Sequence, residues 1–169
     1  MRFEHRNIDR NPGAAPYGTP EMVAALYRAA DGGGLHVNSA FRTLVVQHAY
    51  RETDRPGNGD GCWGPASPGE SRHEWGNAVD LANAAAVAPR MRAAGFTWWG
   101  PDGIGPEYDD VHFTAGPERR GDGVRAFQHL WNVNHPEDLI EEDGAWGPNT
   151  RARLNASPAG GFPDDGCAP

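Results

Sequence analysis

Three residues in this chain have the side chains and the surroundings that a zinc site needs: His73, Asp80 and His112. Asp80 lies in the apolar run Ala78-Val79-Asp80-Leu81-Ala82, where burying a carboxylate is costly unless it is paired, hydrogen-bonded or bound to a metal. His112 is likewise flanked by apolar residues. Taken alone, a histidine and an aspartate at this spacing would more simply be a loop residue and a turn cap. Two histidines and a carboxylate on short strand-like segments, however, are the three protein ligands of a catalytic zinc site.

The residues around two of these ligands form a longer pattern, Ser71-Arg72-His73-Glu74-Trp75-Gly76-Asn77-Ala78-Val79-Asp80. The pattern matches Ser-x-His-x-x-Gly-x-Ala-x-Asp, and Asp109-Asp110-Val111-His112 follows it. Together these segments resemble the signature of the LAS zinc peptidases. That family includes D-alanyl-D-alanine carboxypeptidases and dipeptidases, the L-alanyl-D-glutamate peptidases of phage endolysins, and the hedgehog signalling domain. The resemblance covers roughly Leu35 to Thr114 and implies that His73, Asp80 and His112 are the zinc ligands.

The resemblance also implies two catalytic residues. The segment Ser39-Ala40-Phe41-Arg42-Thr43 is similar to the family's Ser-Gly-Tyr-Arg-Ser segment, in which the arginine faces the substrate carbonyl. We therefore expect Arg42 to stabilise the developing oxyanion. Asp109, three residues before His112, is expected to act as general base and then general acid, as in the endolysin branch. Asp110 is the alternative, because residues two apart in a strand share a face.

A further group of residues is expected to contact substrate or to orient the ligands. Ser71, two residues before His73, would hydrogen-bond the substrate or support a ligand. Aromatic side chains near the motifs would line the cleft, with core packing as the alternative role of each. The residues of this group are Ser71, Ser39, Gln47, Trp98 and Trp99, with Trp75 and Tyr108 as additional aromatic candidates.

Short elements are expected to position these residues. The chain contains 23 glycines and 15 prolines, which favours many loops over long helices. Thr19-Pro20-Glu21 is typical of a helix start and predicts a helix to Ala30, because threonine caps well and proline fits the first helical position. Residues 1–18 are expected to wrap the surface. The remaining predicted helices are 43–53, 85–94, 124–132 and 149–154, and the predicted strands are 35–42, 77–81, 96–99 and 110–114. In the helix 43–53, the residues expected on one face are Leu44, Val45, His48 and Ala49.

These elements predict an α+β fold. A small antiparallel sheet would carry the zinc site between flanking helices, as the resemblance to the hedgehog and D-Ala-D-Ala peptidase folds also implies. A short helical appendage would follow at the C-terminal end. The predicted division is a zinc peptidase domain at 1–118, a helical module at 122–162 and a tail at 163–169.

The C-terminal part has a resemblance of its own. Gly123–Leu130 and Asp143–Thr150, followed by Leu154, are similar to the small helical peptidoglycan-binding module, although the closing helix of that module is missing. Two alternatives follow: a truncated module that binds cell wall, or one that only packs against the peptidase. The expected anchors of the module are Phe127, Leu130, Trp131, Trp146 and Leu154.

Composition excludes several classes of partner. The formal net charge is −8 and the 15 basic residues are all arginine without a basic run, so nucleic acid is not an expected partner. No segment approaches the ~20 apolar residues of a membrane helix, and none at the start resembles a secretory signal. The expected place of action is the cell wall, which the protein would reach in the periplasm, after secretion, or as a delivered lysin or effector. Its export would then require a signal that has been removed, or another delivery route. A disulfide between Cys62 and Cys167 and two unrelated thiols are equally open.

The sequence therefore predicts a monomeric zinc metallopeptidase that hydrolyses peptidoglycan stem peptides. Both a D-Ala-D-Ala carboxypeptidase and an L-Ala-D-Glu or D,D-endopeptidase fit the motifs. A catalytically weak zinc protein that recognises cell wall is an alternative from a different class. A structural protein without metal is a third.

Overall fold

The computed structural model describes residues 1–53, 65–100, 109–159 and 161–162. Cys62, Cys167 and Tyr108 lie outside the described residues, and so does the expectation attached to each. The elements in chain order are β1 Ile8–Arg10, α1 Pro20–Asp31, β2 Leu35–Ser39, α2 Leu44–Thr53, β3 Ala78–Leu81, α3 Ala84–Ala93, β4 Thr97–Trp98, β5 His112–Thr114, α4 Asp122–Asn134 and α5 Pro148–Ala156.

The strands form one five-stranded sheet in the order β1-β2-β3-β5-β4. The α+β class is confirmed, and the pairs among β2, β3, β5 and β4 are antiparallel as predicted. The edge strand differs, because β1 pairs in parallel with β2. The expectation that residues 1–18 only wrap the surface is therefore wrong: Ile8 pairs with Leu35 and Phe3 is 1% exposed.

Helix α1 covers one face of the sheet. Its start is capped as predicted, since Thr19 Oγ1 accepts a hydrogen bond from the Met22 backbone N–H at 3.2 Å. Its apolar stripe includes Met22 and Leu26, both fully buried, and Arg28 donates to the Ala94 carbonyl at the end of α3. This packing fixes the sheet, and with it the positions of the strands that carry the candidate ligands.

Helix α2 buries a different face from the one expected. Leu44 and Gln47 are its buried residues, whereas Val45 is 60% exposed. Leu44 does not belong to the main core, because it packs in a second hydrophobic cluster with Val124 and Trp131. The predicted apolar face of α2 is therefore correct at Leu44 and wrong at Val45 and Ala49, which are exposed. The buried side of α2 instead includes Gln47, and its apolar neighbour is the C-terminal helical pair.

The C-terminal helices α4 and α5 surround that second cluster. Phe127, Trp131 and Leu154 are buried in it and Trp146 packs against it, whereas Leu130 is 45% exposed and was wrongly expected as an anchor. No helix among the described residues is long and apolar enough to span a bilayer.

A buried polar network holds these two helices together. Gln128 is 2% exposed, and its amide donates to Asp143 Oδ1 at 2.8 Å and to Thr150 Oγ1 at 3.1 Å. Its carbonyl oxygen accepts from the Gly144 N–H at 2.8 Å. The polar residues of the module-like motif therefore use their hydrogen bonds internally, to fix the loop between α4 and α5.

Candidate metal centre

The sheet brings two candidate ligands together directly. Asp80 on β3 is paired in register with His112 on β5, so the two side chains share one face of the sheet. His73 lies in the turn that precedes β3 and reaches the same point. The three donor atoms are mutually close: His73 Nε2 is 3.2 Å from His112 Nδ1, and Asp80 Oδ1 is 3.3 Å and 2.8 Å from these two nitrogens.

These distances fit a zinc ion. Ligand atoms about 2.0–2.1 Å from a tetrahedral zinc lie roughly 3.3 Å from one another. The three separations are close to that value, and two imidazole nitrogens with one carboxylate oxygen are donors that zinc accepts. The group His73, Asp80 and His112 can therefore hold a metal ion.

The protein also fixes which nitrogen of His73 faces the cluster. His73 Nδ1 lies 2.6 Å from the Ala40 carbonyl oxygen, which only accepts, so Nδ1 carries the proton and Nε2 presents its lone pair. His73 is 3% exposed, and this burial lowers the pKa of its imidazole. The neutral form that binds metal is thus the favoured one.

Asp80 is held in its ionised form. Burial alone would raise the pKa of its carboxyl group, but the hydrogen bond with His112 and the nearby imidazole of His73 outweigh burial and keep that pKa well below its usual range. The second oxygen, Oδ2, lies 3.4 Å from Arg42 Nη2. Asp80 therefore offers one oxygen to the metal position and the other to an arginine.

Arg42 is positioned by two of the residues that the sequence singled out. Its Nε donates to Ser39 Oγ at 3.3 Å and its Nη1 to Gln47 Oε1 at 3.4 Å. Gln47 is fully buried and its amide donates to the Ala66 carbonyl, so it is itself fixed. Ser39 and Gln47 therefore hold the arginine beside the cluster in this structure.

The two candidate acids have different environments. Asp109 lines the same cavity as the three ligands, with Oδ2 4.0 Å from His112 Nδ1. Burial, reinforced by the charge of Asp80, raises the pKa of the Asp109 carboxyl group. Asp110 is exposed and is absent from the cavity lining, although its carbonyl oxygen accepts a hydrogen bond from Trp98 Nε1.

The cavity around the cluster has a volume of about 410 Å³. Trp99 lies in its wall, edge-on to His112 with ring centroids 4.9 Å apart. Trp75 lines it as well, whereas Trp98 lies in the main core, stacked on Phe113. Of the three tryptophans considered for the cleft, the structure brings two to the cavity and places one in the core.

The turn that carries His73 is built around a buried carboxylate that sequence reasoning did not single out. Glu74 accepts hydrogen bonds from the backbone N–H groups of Gly69 and Ser71. Burial raises the pKa of Glu74 to about 7, although those hydrogen bonds oppose the rise. Ser71 lines the cavity and Gly76, at φ 69°, ends the turn in the left-handed region that favours glycine.

Two arginines in the cavity wall were also missed. Arg72 follows Ser71 in the motif, and Arg120 belongs to the segment predicted as a linker. The sequence carried no signal for Arg120, because its partner Glu70 is 50 residues away along the chain. Both side chains lie over the ring of Trp75, with guanidinium carbons 5.3 Å and 5.5 Å from the ring centroid.

Comparisons with known proteins give little beyond this geometry. No protein-family model matches the chain, and no curated protein is significantly similar to it. Among solved structures, the crystal structure of the L-Ala D-Glu endopeptidase ChiX from Serratia marcescens is similar to this chain at a TM-score of 0.44 and 18% sequence identity. The similarity covers 63% of this chain and 90% of that chain. A likeness of this degree identifies no activity, so the chemistry depends on the chain's own residues.

Proposed function

We propose that this protein is a zinc-dependent peptidase that hydrolyses peptide bonds in the stem peptides of bacterial peptidoglycan. The observation that carries the proposal is the convergence of His73, Asp80 and His112, with Arg42 and Asp109, on one cavity. A metal ligand set alone fits many proteins. A ligand set with a positioned cation and a nearby carboxylic acid has the parts that hydrolysis of an amide needs.

Each residue has a defined task in this mechanism. When bound at such a site, zinc supplies an activated water near neutral pH and polarises a carbonyl oxygen. Asp109 accepts the proton of the attacking water and then delivers it to the departing amine. Arg42 donates hydrogen bonds to the oxygen on which negative charge develops, and Ser39 and Gln47 hold it in place.

The substrate class in the proposal comes from the sequence. The Ser-x-His-x-x-Gly-x-Ala-x-Asp and Asp-x-x-His segments resemble peptidases of D-amino-acid-containing wall peptides, and the C-terminal part resembles a wall-binding module. An aspartate at 109 is similar to the endolysin branch, which cuts within the stem. We therefore propose that intact sacculi are attacked and that D-Ala-D-Ala alone is a poor substrate.

The test is digestion of purified sacculi, with the released muropeptides identified by mass spectrometry. We expect the zinc-loaded protein to release cleaved stem peptides, and His73→Ala to lose both bound zinc and activity. His36→Ala is a matched control, because His36 is exposed on β2 and lies outside the cluster. The proposal fails if the zinc-loaded protein leaves the muropeptide profile unchanged, and sacculus binding without cleavage would favour the wall-recognition alternative.

A further inference from the structure

Two arginines of the cavity wall hold a carboxylate between them. Glu118 Oε1 accepts a hydrogen bond from Arg72 Nη2 at 2.9 Å, and Glu118 Oε2 accepts one from Arg120 Nε at 3.2 Å. Arg120 also donates to Glu70. Both arginines line the cavity that contains the three candidate ligands, whereas Glu118 does not. The arginines are thus available to a molecule in the cavity.

The two guanidinium groups rest on a rigid platform. Trp75 is 5% exposed, its indole N–H donates to the Gly69 carbonyl at 2.9 Å, and both arginines lie over its ring. Arg72 also lies over Trp99, at 5.5 Å, and Trp99 contacts His112. These cation–π contacts hold the arginines in the wall of the cavity that also contains the candidate ligands.

The segment that carries Glu118 is fixed too. Asn77, just before β3, donates from Nδ2 to the Pro117 carbonyl at 2.7 Å. The glutamates themselves are held weakly, because the side chains of Glu118 and Glu70 are about half exposed. Exposed ion pairs add little net free energy, so another carboxylate can replace a glutamate at modest cost.

From this geometry we propose that Arg72 and Arg120 form a carboxylate-binding clamp that selects substrates with a free carboxylate near the cleaved bond, and that Glu118 occupies the clamp until substrate displaces it. The inference rests on the proposed peptidase function and specifies its substrate. Arg42 is already engaged by Ser39, Gln47 and Asp80, so the clamp is the remaining cationic feature of the described cavity wall.

A wall stem peptide whose third residue lacks a side-chain carboxylate offers two carboxylates of this chemistry. One is the free α-carboxylate of a D-glutamate linked through its side chain, and the other is the chain terminus. The first fits cleavage within the stem, and the second fits removal of a terminal residue. Identification of the recognised carboxylate therefore also indicates which of the two bond types the enzyme cuts.

The experiment compares three synthetic pentapeptides with the zinc-loaded full-length chain. One has both carboxylates free, one is amidated at the glutamyl α-carboxylate, and one is amidated at the C-terminus. We expect one amide to lower kcat/KM about tenfold or more, since a charge-assisted hydrogen bond is lost. Arg72→Gln and the exposed Arg120→Gln should each abolish that preference, mainly through KM.

Glu118→Gln should change kcat/KM in the opposite direction from the two arginine variants. A merely structural role of Glu118 would not produce an increase. Because Glu118 no longer competes for the clamp, kcat/KM should rise several-fold for the peptide with both carboxylates free. The kcat/KM of the peptide that is amidated at the recognised carboxylate should stay unchanged. Arg119→Gln is the matched control, because Arg119 is adjacent in sequence, faces Asp122 and does not line the cavity. Its kinetics should equal those of the unmodified protein.

Equal kcat/KM for all three peptides with the unmodified protein would overturn the clamp and leave the peptidase proposal intact. Cleavage of none of the three, together with undigested sacculi, would refute the peptidase proposal instead. In that case, the affinities of the same peptides, measured by calorimetry, test the clamp proposal separately. Weaker binding of one amidated peptide would support the clamp, and equal binding of all three would overturn it.

Discussion

The short contact between His73 and the Ala40 carbonyl links the candidate metal site to Arg42. Ala40 lies in the segment between Ser39 and Arg42, so one backbone carbonyl orients a ligand while the residues around it position a cation. Asp80 adds a second link, because its two oxygens face a histidine and Arg42. A substitution in this group is therefore expected to disturb the proposed ligands and the position of Arg42 together.

Asp109 is the residue at which metal binding and turnover can be tested separately. Asp109→Asn should retain about one zinc per chain and lose turnover by roughly 10²–10⁴-fold, because the proposed general acid and base is removed and the proposed ligands are kept. Turnover on sacculi and metal content should be measured on the same preparation.

Asp110→Asn is the comparison for that variant, since Asp110 is exposed and outside the cavity lining. We expect a milder loss of turnover. If Asp110→Asn is the more damaging change, the Asp-x-x-His alignment is displaced by one residue and the strand-face alternative is correct.

At the scale of elements, the sequence predicted what local chemistry determines and missed what distant contacts determine. The cap at Thr19 and the apolar run around Asp80 predicted α1 and β3 to within one residue at each end. Strand β1 was missed, because three residues that include an aspartate and an arginine show no alternation. The buried face of α2 was wrong, since Gln47 is buried by its bonds to Arg42 and Ala66.

In the candidate site, too, some residues could be predicted from local sequence and others could not. Its candidate ligands were predictable, because Asp80 and His112 lie at apolar positions, where they are costly without a shared role, and His73 belongs to the same motif as Asp80. The arginine clamp was not predictable, because Arg120 reaches the cavity through the path of the chain from β5 to α4, and no local pattern encodes that path.

The start of α4 gives a test at this scale. Gly121 has φ 74°, and a Cβ there would lie 2.5 Å from the Gly144 carbonyl oxygen. Gly121→Ala should therefore lower the free energy of unfolding by about 1–3 kcal/mol, through backbone strain and displacement of the α4–α5 loop. Chemical denaturation with tryptophan fluorescence measures the change.

Gly123→Ala is the matched control, because Gly123 lies inside α4 and a Cβ there meets no atom within 4 Å. This change should be neutral or raise the free energy of unfolding by up to about 1 kcal/mol, since alanine loses less backbone entropy on folding. A loss of stability in Gly123→Ala equal to that in Gly121→Ala would refute the strain argument.

At the scale of the whole molecule, the helical pair α4–α5 and the sheet region share a packed boundary. Leu44 of α2 is 8% exposed in the second cluster, and His48 contacts Trp146 and Asn155. Gly121 N–H donates to the Gly69 carbonyl in the segment that leads to His73. These contacts connect the helical pair to the loop that carries a candidate ligand.

This connection predicts cooperative unfolding. Leu44→Ala should lower the free energy of unfolding by about 2–5 kcal/mol, because it leaves a cavity between the sheet region and the helical pair. The protein should still unfold in a single thermal transition, at a lower temperature. Val45→Ala, at the exposed neighbouring position, should change stability by no more than about 0.5 kcal/mol. Calorimetry that resolves two transitions, with only one displaced by Leu44→Ala, would show that the parts unfold independently.

The position of Arg120 has a practical consequence for protein engineering. Exchange of the C-terminal helical pair for another module would place the crossover in the segment between β5 and α4. A crossover placed after residue 118 would remove the Arg120 side chain from the cavity that contains the candidate ligands, and the cover from Leu44. A chimera that keeps residues 1–121 retains the whole cavity wall but exposes an apolar surface on α2, so the new partner must present a matching face. In this chain the crossover point is itself part of the proposed substrate pocket.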